Sequence, residues 1–189
     1  MFSTHLSSLL SRGGLAVIPT DTIYGIVAKA LNRKAVERLY AFRRETAQKP
    51  FIVLISDITD LRVFGCKVTL VQEKFLKKVW PGKVSVVFPC KAKKFSYLHR
   101  NTGSLAFRLP SSSRLQALLK ETGPLVAPSA NFEGKTPART IKEAKSYFGT
   151  HVDMYIGAKR AYVGKPSTLV SLLSGAPQVL REGAVTIEV

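Results

Sequence analysis

Leu15-Ala16-Val17-Ile18-Pro19-Thr20-Asp21-Thr22-Ile23-Tyr24-Gly25 passes from an apolar run straight into two hydroxyls, a carboxylate and a phenol. Leu15 to Pro19 has the length and composition of a buried strand, so the polar residues stand at its carboxyl end. Two readings follow. Thr and Asp bond readily to nearby backbone and could close a plain polar turn. Alternatively, the segment edges a pocket for a small polar ligand, because ligands in open α/β sheets gather beyond the carboxyl ends of strands.

The same alternation continues outward. Strands are expected at 15–19, 51–56 (FIVLIS), 84–90 (VSVVFPC), 104–110 (SLAFRLP), 124–129 (PLVAPS), 153–158 (DMYIGA), 167–173 (STLVSLL) and 177–182 (PQVLRE). Segments of helical period between them predict helices from His5 to Ser11, Lys34 to Arg44, Thr69 to Val79, Ser112 to Glu121 and Thr140 to Tyr147. Asn32, Thr69, Ser111 or Ser112, and Thr140 are the N-cap candidates. In the second helix Val36, Leu39, Tyr40 and Arg43 share a side, which would bring Arg43 out where the helix ends. The fold class is α/β (α+β), one twisted, largely buried sheet with helices around it.

With 189 residues and 46% apolar content the chain can build a packed core, and one domain over residues 1–189 is expected. No apolar run is long enough to span a bilayer, and the N-terminus lacks the order of a signal peptide, so a cytoplasmic protein without membrane attachment is expected. Cys66 and Cys90 show no metal or redox spacing and read as small buried apolar residues. The net charge of +17 would draw polyanions, ATP and RNA among them.

Two further segments can carry chemistry. Arg43 to Pro50 is a charged loop between a helix and a strand, either solvated or holding a triphosphate through guanidinium and ammonium groups. Pro128-Ser129-Ala130-Asn131 ends a strand and is either an Asx-type turn or a pair of donors to phosphate oxygens, with Gly134 permitting close approach. P-loop, dinucleotide-binding, nucleophile-elbow, HExxH and CxxC patterns do not occur in the chain. His5, His99 and His151 are widely separated and read as surface or structural. This favours chemistry by alignment and charge neutralisation without a covalent intermediate or a catalytic side chain.

Taken in order, PTDTIYG (19–25), WPGKVSVVF (80–88), LAFRLP (105–110), APSAN (127–131), STLV (167–170) and LREG (180–183) resemble the YrdC/Sua5 family of threonylcarbamoyl-adenylate synthases over about residues 10 to 185. The resemblance is to the short single-domain form, and it implies a twisted mixed sheet around a large, basic, concave cavity. It further implies that Thr22, Tyr24, Arg108, Ala127 and Ser167 contact L-threonine. Arg43, Lys49, Ser104, Ser129, Asn131 and Arg181 would line the ATP site, bordered by the loop near Pro137. The implied reaction joins threonine's amine to bicarbonate or CO2 as a carbamate, which attacks the α-phosphorus of ATP and expels pyrophosphate, with Mg²⁺ on the phosphates. The implied partners are a downstream tRNA threonylcarbamoyl transferase complex and possible contact with tRNA or other RNA; a monomer is expected. Where the family carries Lys-x-Arg, this chain reads Arg43-Arg44-Glu45, and the YciO branch also diverges at this loop. That anion and the high positive charge suit a competing expectation, an RNA-binding or ribosome-associated module on the same fold.

Overall fold

The computed structural model describes residues 2, 4–43, 49–158, 161 and 164–188. Its helices are α1 (Thr4–Ser11), α2 (Arg33–Arg43), α3 (Leu70–Val79), α4 (Ser96–His99), α5 (Ser113–Thr122) and α6 (Ile141–Phe148). The strands are β1 (Ala16–Pro19), β2 (Tyr24–Lys29), β3 (Val53–Leu54), β4 (Val84–Pro89), β5 (Ser104–Arg108), β6 (Leu125–Val126), β7 (Met154–Tyr155), β8 (Thr168–Ser171) and β9 (Gln178–Arg181). They form one nine-stranded mixed sheet in the order β7-β1-β2-β6-β3-β5-β4-β8-β9.

Two-residue alternation divides the apolar side chains between the faces of this sheet. Leu15 and Val17, Ile26 and Ala28, and Val53 and Ile55 join a core that also takes Val36 and Leu39 of α2, Leu76 of α3, Tyr97 of α4 and Phe148 of α6. Their neighbours Ala16, Ile18, Val27 and Leu54 pack on the other face against Leu6 and Leu10 of α1 and Leu115, Leu118 and Leu119 of α5. This second core has no member from β4, β5, β8 or β9. Across those strands the sheet is covered by a core on one face only.

The helix starts expected from sequence are present. Thr69 forms a capping box with Gln72, the Ser112 and Thr140 hydroxyls accept from Leu115 and Glu143 amides, and Asn32 Oδ1 accepts from the Ala35 amide at 3.1 Å. Strand lengths differ more. The expected strands at 51–56 and 124–129 keep only two ladder residues each, because their flanks run alongside the sheet on single bonds, Ala127 N to Ile52 O and Ile55 N to Arg108 O, both 2.9 Å. DMYIGA likewise keeps only Met154–Tyr155. Strand β2 was not expected, since the polar turn and Gly25 mask its apolar half. A Cβ at Gly25 would lie 3.3 Å from the Pro128 carbonyl oxygen, and Gly25 bridges to Ser129, so glycine admits a second backbone there. A 3₁₀ segment, Ile58–Phe64, was also missed, although Asp57 and Asp60 form a capping box at its start.

Cys66 and Cys90 are buried free thiols, as the sequence suggests. His5 and His151 are exposed, while His99 is buried with neither ring nitrogen hydrogen-bonded. No helix among the described residues is long and apolar enough to cross a membrane.

One carboxylate ties three elements together. Asp153, before β7, receives both Arg38 Nη atoms from α2 at 2.8 and 2.9 Å and the Leu15 amide before β1 at 2.7 Å. The Arg38 hydrogen bonds, helped by that amide, hold its pKa below the ordinary carboxylate value. A depressed folded pKa adds stability above the unfolded value of about 3.9, which is lost as pH falls through the folded value. Asp153→Asn is therefore expected to lower unfolding stability by about 1–2 kcal/mol at pH 7, with the difference from the parent vanishing in strong acid. Urea titrations across pH measure both.

Candidate functional site

The uncovered face of β5, β4 and β8 is the floor of a cavity of about 420 Å³. Strand alternation builds it. On β5, Leu105 and Phe107 enter the core while Ser104, Ala106 and Arg108 face the cavity; Val87 of β4 and Leu169 of β8 continue the same surface. The remaining walls come from the β1–β2 turn, the segment 49–52, the 127–134 segment and the residues around Pro166 and Arg181.

The β1–β2 turn is organised by one hydroxyl. Thr20 Oγ1 donates to the Ile23 carbonyl at 2.6 Å and accepts the Thr22 and Ile23 amides at 3.2 and 3.3 Å. Its contact with Thr22 Oγ1 at 3.1 Å fixes the second hydroxyl at the cavity wall. The polar-turn and pocket readings of this segment are therefore both true of the same residues. Tyr24 lines the cavity, and its phenol oxygen accepts the Ala158 amide at 2.7 Å.

Arg108 is 4% exposed and forms an ion pair with Asp21, whose other oxygen accepts the Ser111 amide at 3.2 Å. Its Nε is buried without a partner. Ser167, also buried, shares a 2.8 Å hydrogen bond with Ser85 Oγ, and its carbonyl accepts Arg181 Nη2 at 2.8 Å. Thus a hydroxyl, a guanidinium and a second hydroxyl, from residues 22, 108 and 167, meet in one cavity together with Ala127.

Lys49, Ser104, Ser129, Asn131, Arg43 and Arg181 line the cavity too, with Glu133 contributing a carboxylate. Arg43 stands at the end of α2, as expected, and lines the cavity while only 3% exposed; its Nε donates to the Asn131 carbonyl at 2.9 Å, and its guanidinium lies 5.5 Å from the Phe51 ring centre. Of the two readings open for Pro128 to Asn131, the turn describes the Asn131 amide: its Nδ2 donates to the Phe132 and Lys135 carbonyls, each at 2.8 Å. Those two acceptors also fix which amide atom is nitrogen. Asn131 therefore closes the 132–135 loop.

Pro137 is the one site residue expected from sequence that does not line the cavity. The Ala138 amide bonds the Ala130 carbonyl at 2.9 Å, which closes the 131–137 loop on its own start, and Glu133 and Gly134 border the cavity instead. Arg44 and Glu45 lie outside the described residues. Sequence reasoning missed the apolar wall of Phe51, Ile52, Val87, Ala106 and Leu169, although two-residue alternation on β5 and β4 was a signal for it. Leu173 and Leu180 also line the cavity while each remaining 52% exposed.

A mixed α/β sheet thus carries, on its uncovered face, a cavity into which hydroxyls, guanidiniums and an ammonium converge. The chain belongs to the Sua5/YciO/YrdC family, whose sequence profile, described as "Telomere recombination", matches residues 8–183. Threonylcarbamoyl-AMP synthase of Bacillus subtilis (strain 168) is 31% identical over 185 residues, covering 96% of this chain and 53% of that protein. The crystal structure of P. abyssi Sua5 complexed with L-threonine superposes with a TM-score of 0.86 at 27% identity over 95% of this chain and 53% of the other. E. coli YciO gives 0.81 at 27% identity, over 95% of this chain and 87% of the other. The chain spans about half the length of the Bacillus and Pyrococcus proteins.

Removing one member of a buried ion pair strands the other charge. Asp21→Ala is expected to lower unfolding stability by about 3 kcal/mol, with Asp21→Asn intermediate; denaturant titration measures it, and a loss within 0.5 kcal/mol, the usual range of surface substitutions, would show that water replaces Asp21 around Arg108.

Proposed function

We propose that this protein makes threonylcarbamoyl-AMP and pyrophosphate from ATP, L-threonine and bicarbonate, for modification of adenosine in tRNA. The supporting observation is the convergence of Thr22, Arg108 and Ser167 with Lys49, Ser129 and Arg181 in one cavity. Family membership and the likeness to a threonine-bound Sua5 support the same reading.

The geometry suits each substrate. Arg108, held from behind by Asp21, offers a fixed planar guanidinium to the threonine carboxylate, while Thr22 and Ser167 supply hydroxyls for its remaining polar groups. Lys49 and Arg181 supply positive charge and Ser129 a hydroxyl for the ATP phosphates; the apolar wall accepts the flat faces of a base. The threonine amine takes up CO2 derived from bicarbonate, losing a proton to give a carbamate. A carbamate oxygen then attacks the α-phosphorus as the bond to the β-phosphate oxygen breaks and pyrophosphate leaves. Charge neutralisation and in-line placement lower this barrier, so no side chain need form a covalent intermediate.

No group of three or more His, Cys, Asp or Glu among the described residues could hold a metal. In this reading Mg²⁺ comes as the ion carried on the triphosphate, where it would neutralise phosphate charge, with Glu133 as the carboxylate at the cavity wall. Transfer of the threonylcarbamoyl group to tRNA falls to a downstream transferase complex in this reading.

Purified protein with ATP, Mg²⁺, bicarbonate and L-threonine is expected to release pyrophosphate and give threonylcarbamoyl-AMP by mass spectrometry, dependent on both threonine and bicarbonate. No product from folded protein, beside an active B. subtilis synthase, would refute the proposal. Thr22→Val, which keeps the side-chain shape, is expected to raise the KM for threonine roughly tenfold with the KM for ATP nearly unchanged; equal rises in both would place Thr22 outside the threonine subsite.

A further inference from the structure

Tyr40 of α2 does not itself line the cavity, yet it holds a segment that does. Its phenol donates to the Lys49 carbonyl at 3.1 Å and accepts the Phe51 amide at 3.2 Å. Those groups flank Pro50, which has no amide hydrogen of its own, so one hydroxyl anchors the backbone on both sides of the proline. The ring is equally confined. It stacks on Phe51 with 3.9 Å between centres and 11° between planes, and the Arg100 guanidinium lies 4.4 Å from its centre.

The arrangement continues across the cavity wall. Arg43 lies over Phe51 and donates to the Asn131 carbonyl, so a row of stacked groups, Arg100, Tyr40, Phe51 and Arg43, joins the 49–51 segment to the 129–131 segment. At its outer end Arg100 and the next residue, Asn101, both have left-handed backbone, φ 49° and 67°, uncommon for residues with a Cβ. A lysine ammonium is a point charge on a flexible four-carbon stem, and the space it samples is set by its backbone anchor. Fixing that anchor is what the Tyr40 phenol does.

We propose that Tyr40 is a positioning residue for nucleotide binding: its phenol holds the Lys49-Pro50-Phe51 backbone so that the Lys49 ammonium meets the ATP phosphates. The assignment rests on the ATP site proposed above. It assigns a specific task to a side chain that otherwise reads as ordinary core packing.

A two-residue cycle separates these roles. Dissociation constants for ATP with Mg²⁺, and separately for L-threonine, are measured by calorimetry on the parent, Tyr40→Phe, Lys49→Ala and the double variant, with thermal unfolding alongside. Tyr40→Phe keeps the ring stack and removes only the hydroxyl. ATP affinity is expected to fall roughly tenfold in Tyr40→Phe, with threonine affinity within about twofold, and to fall no further when Tyr40→Phe is added to Lys49→Ala. An undiminished effect of Tyr40→Phe in the Lys49→Ala background, equal losses for both ligands, or no loss at all would overturn the assignment and leave the ATP site standing. No ATP binding by the parent, or none of it sensitive to Lys49→Ala, would overturn the ATP site and the assignment with it. Should Tyr40→Phe fail to fold, Arg100→Ala, which frees the ring from its cation, enters the same cycle under the same criteria.

Discussion

A guanidinium withdrawn from water must find acceptors inside the protein, and in this fold that constraint joins the parts that make the cavity. Arg108 on β5 is almost fully buried and takes Asp21 from the β1–β2 turn; Arg43 at the end of α2 is equally buried and takes the Asn131 carbonyl from the segment after β6. Each contact bridges residues about ninety apart in sequence, 87 and 88 positions. The two guanidiniums are thus structural fasteners of the cavity walls. Their burial also reduces the side-chain entropy lost when an anionic ligand arrives, because the guanidiniums are already held in place.

The sheet explains why a cavity exists. Helices α1 and α5 cover one face over β1, β2, β3 and β6, and the second core stops there. Over β5, β4 and β8 the same face carries Ser104, Ala106 and Arg108 beside Val87 and Leu169, a mixed surface outside the second core. The pleat therefore does two jobs on one strand, burying Leu105 and Phe107 while presenting Ser104, Ala106 and Arg108. The presence of Ser104 and Arg108 on the floor is a direct product of the two-residue period.

Much of this was legible in the chain. Apolar runs bounded by Pro and Gly marked most strands, and Thr69, Ser112 and Thr140 marked helix starts through side-chain caps that obey local chemistry. The motifs around Thr22, Arg108, Ser129 and Ser167 identified residues that do share a cavity. What remained hidden depended on which partner each polar group takes up in the fold. The Asn131 amide looks like a free pair of donors until the Phe132 and Lys135 carbonyls consume them, and Pro137 looks adjacent until the Ala138 amide turns the chain away. Tyr40 gave no sign beyond a helical face, since its role depends on a proline ten residues later having no hydrogen to offer. Strand β2 was obscured because Gly25, normally a strand breaker, is there to admit the backbone of residue 128.

The order of strands in the sheet sets when the cavity can exist. Neighbours β1 and β7 are separated by most of the chain and β4 and β8 by more than a third of it, and the walls draw on residues from Thr20 to Arg181. A ribosome delivers these segments one after another, so the floor formed by β5 and β4 leaves the exit tunnel long before Ser167 and Arg181 do. Until they arrive, Val84 to Val87 have no parallel partner, and the nascent chain exposes an unpaired strand edge next to a cluster of buried-to-be cations. Assembly of the site is therefore a late event in the life of each new molecule.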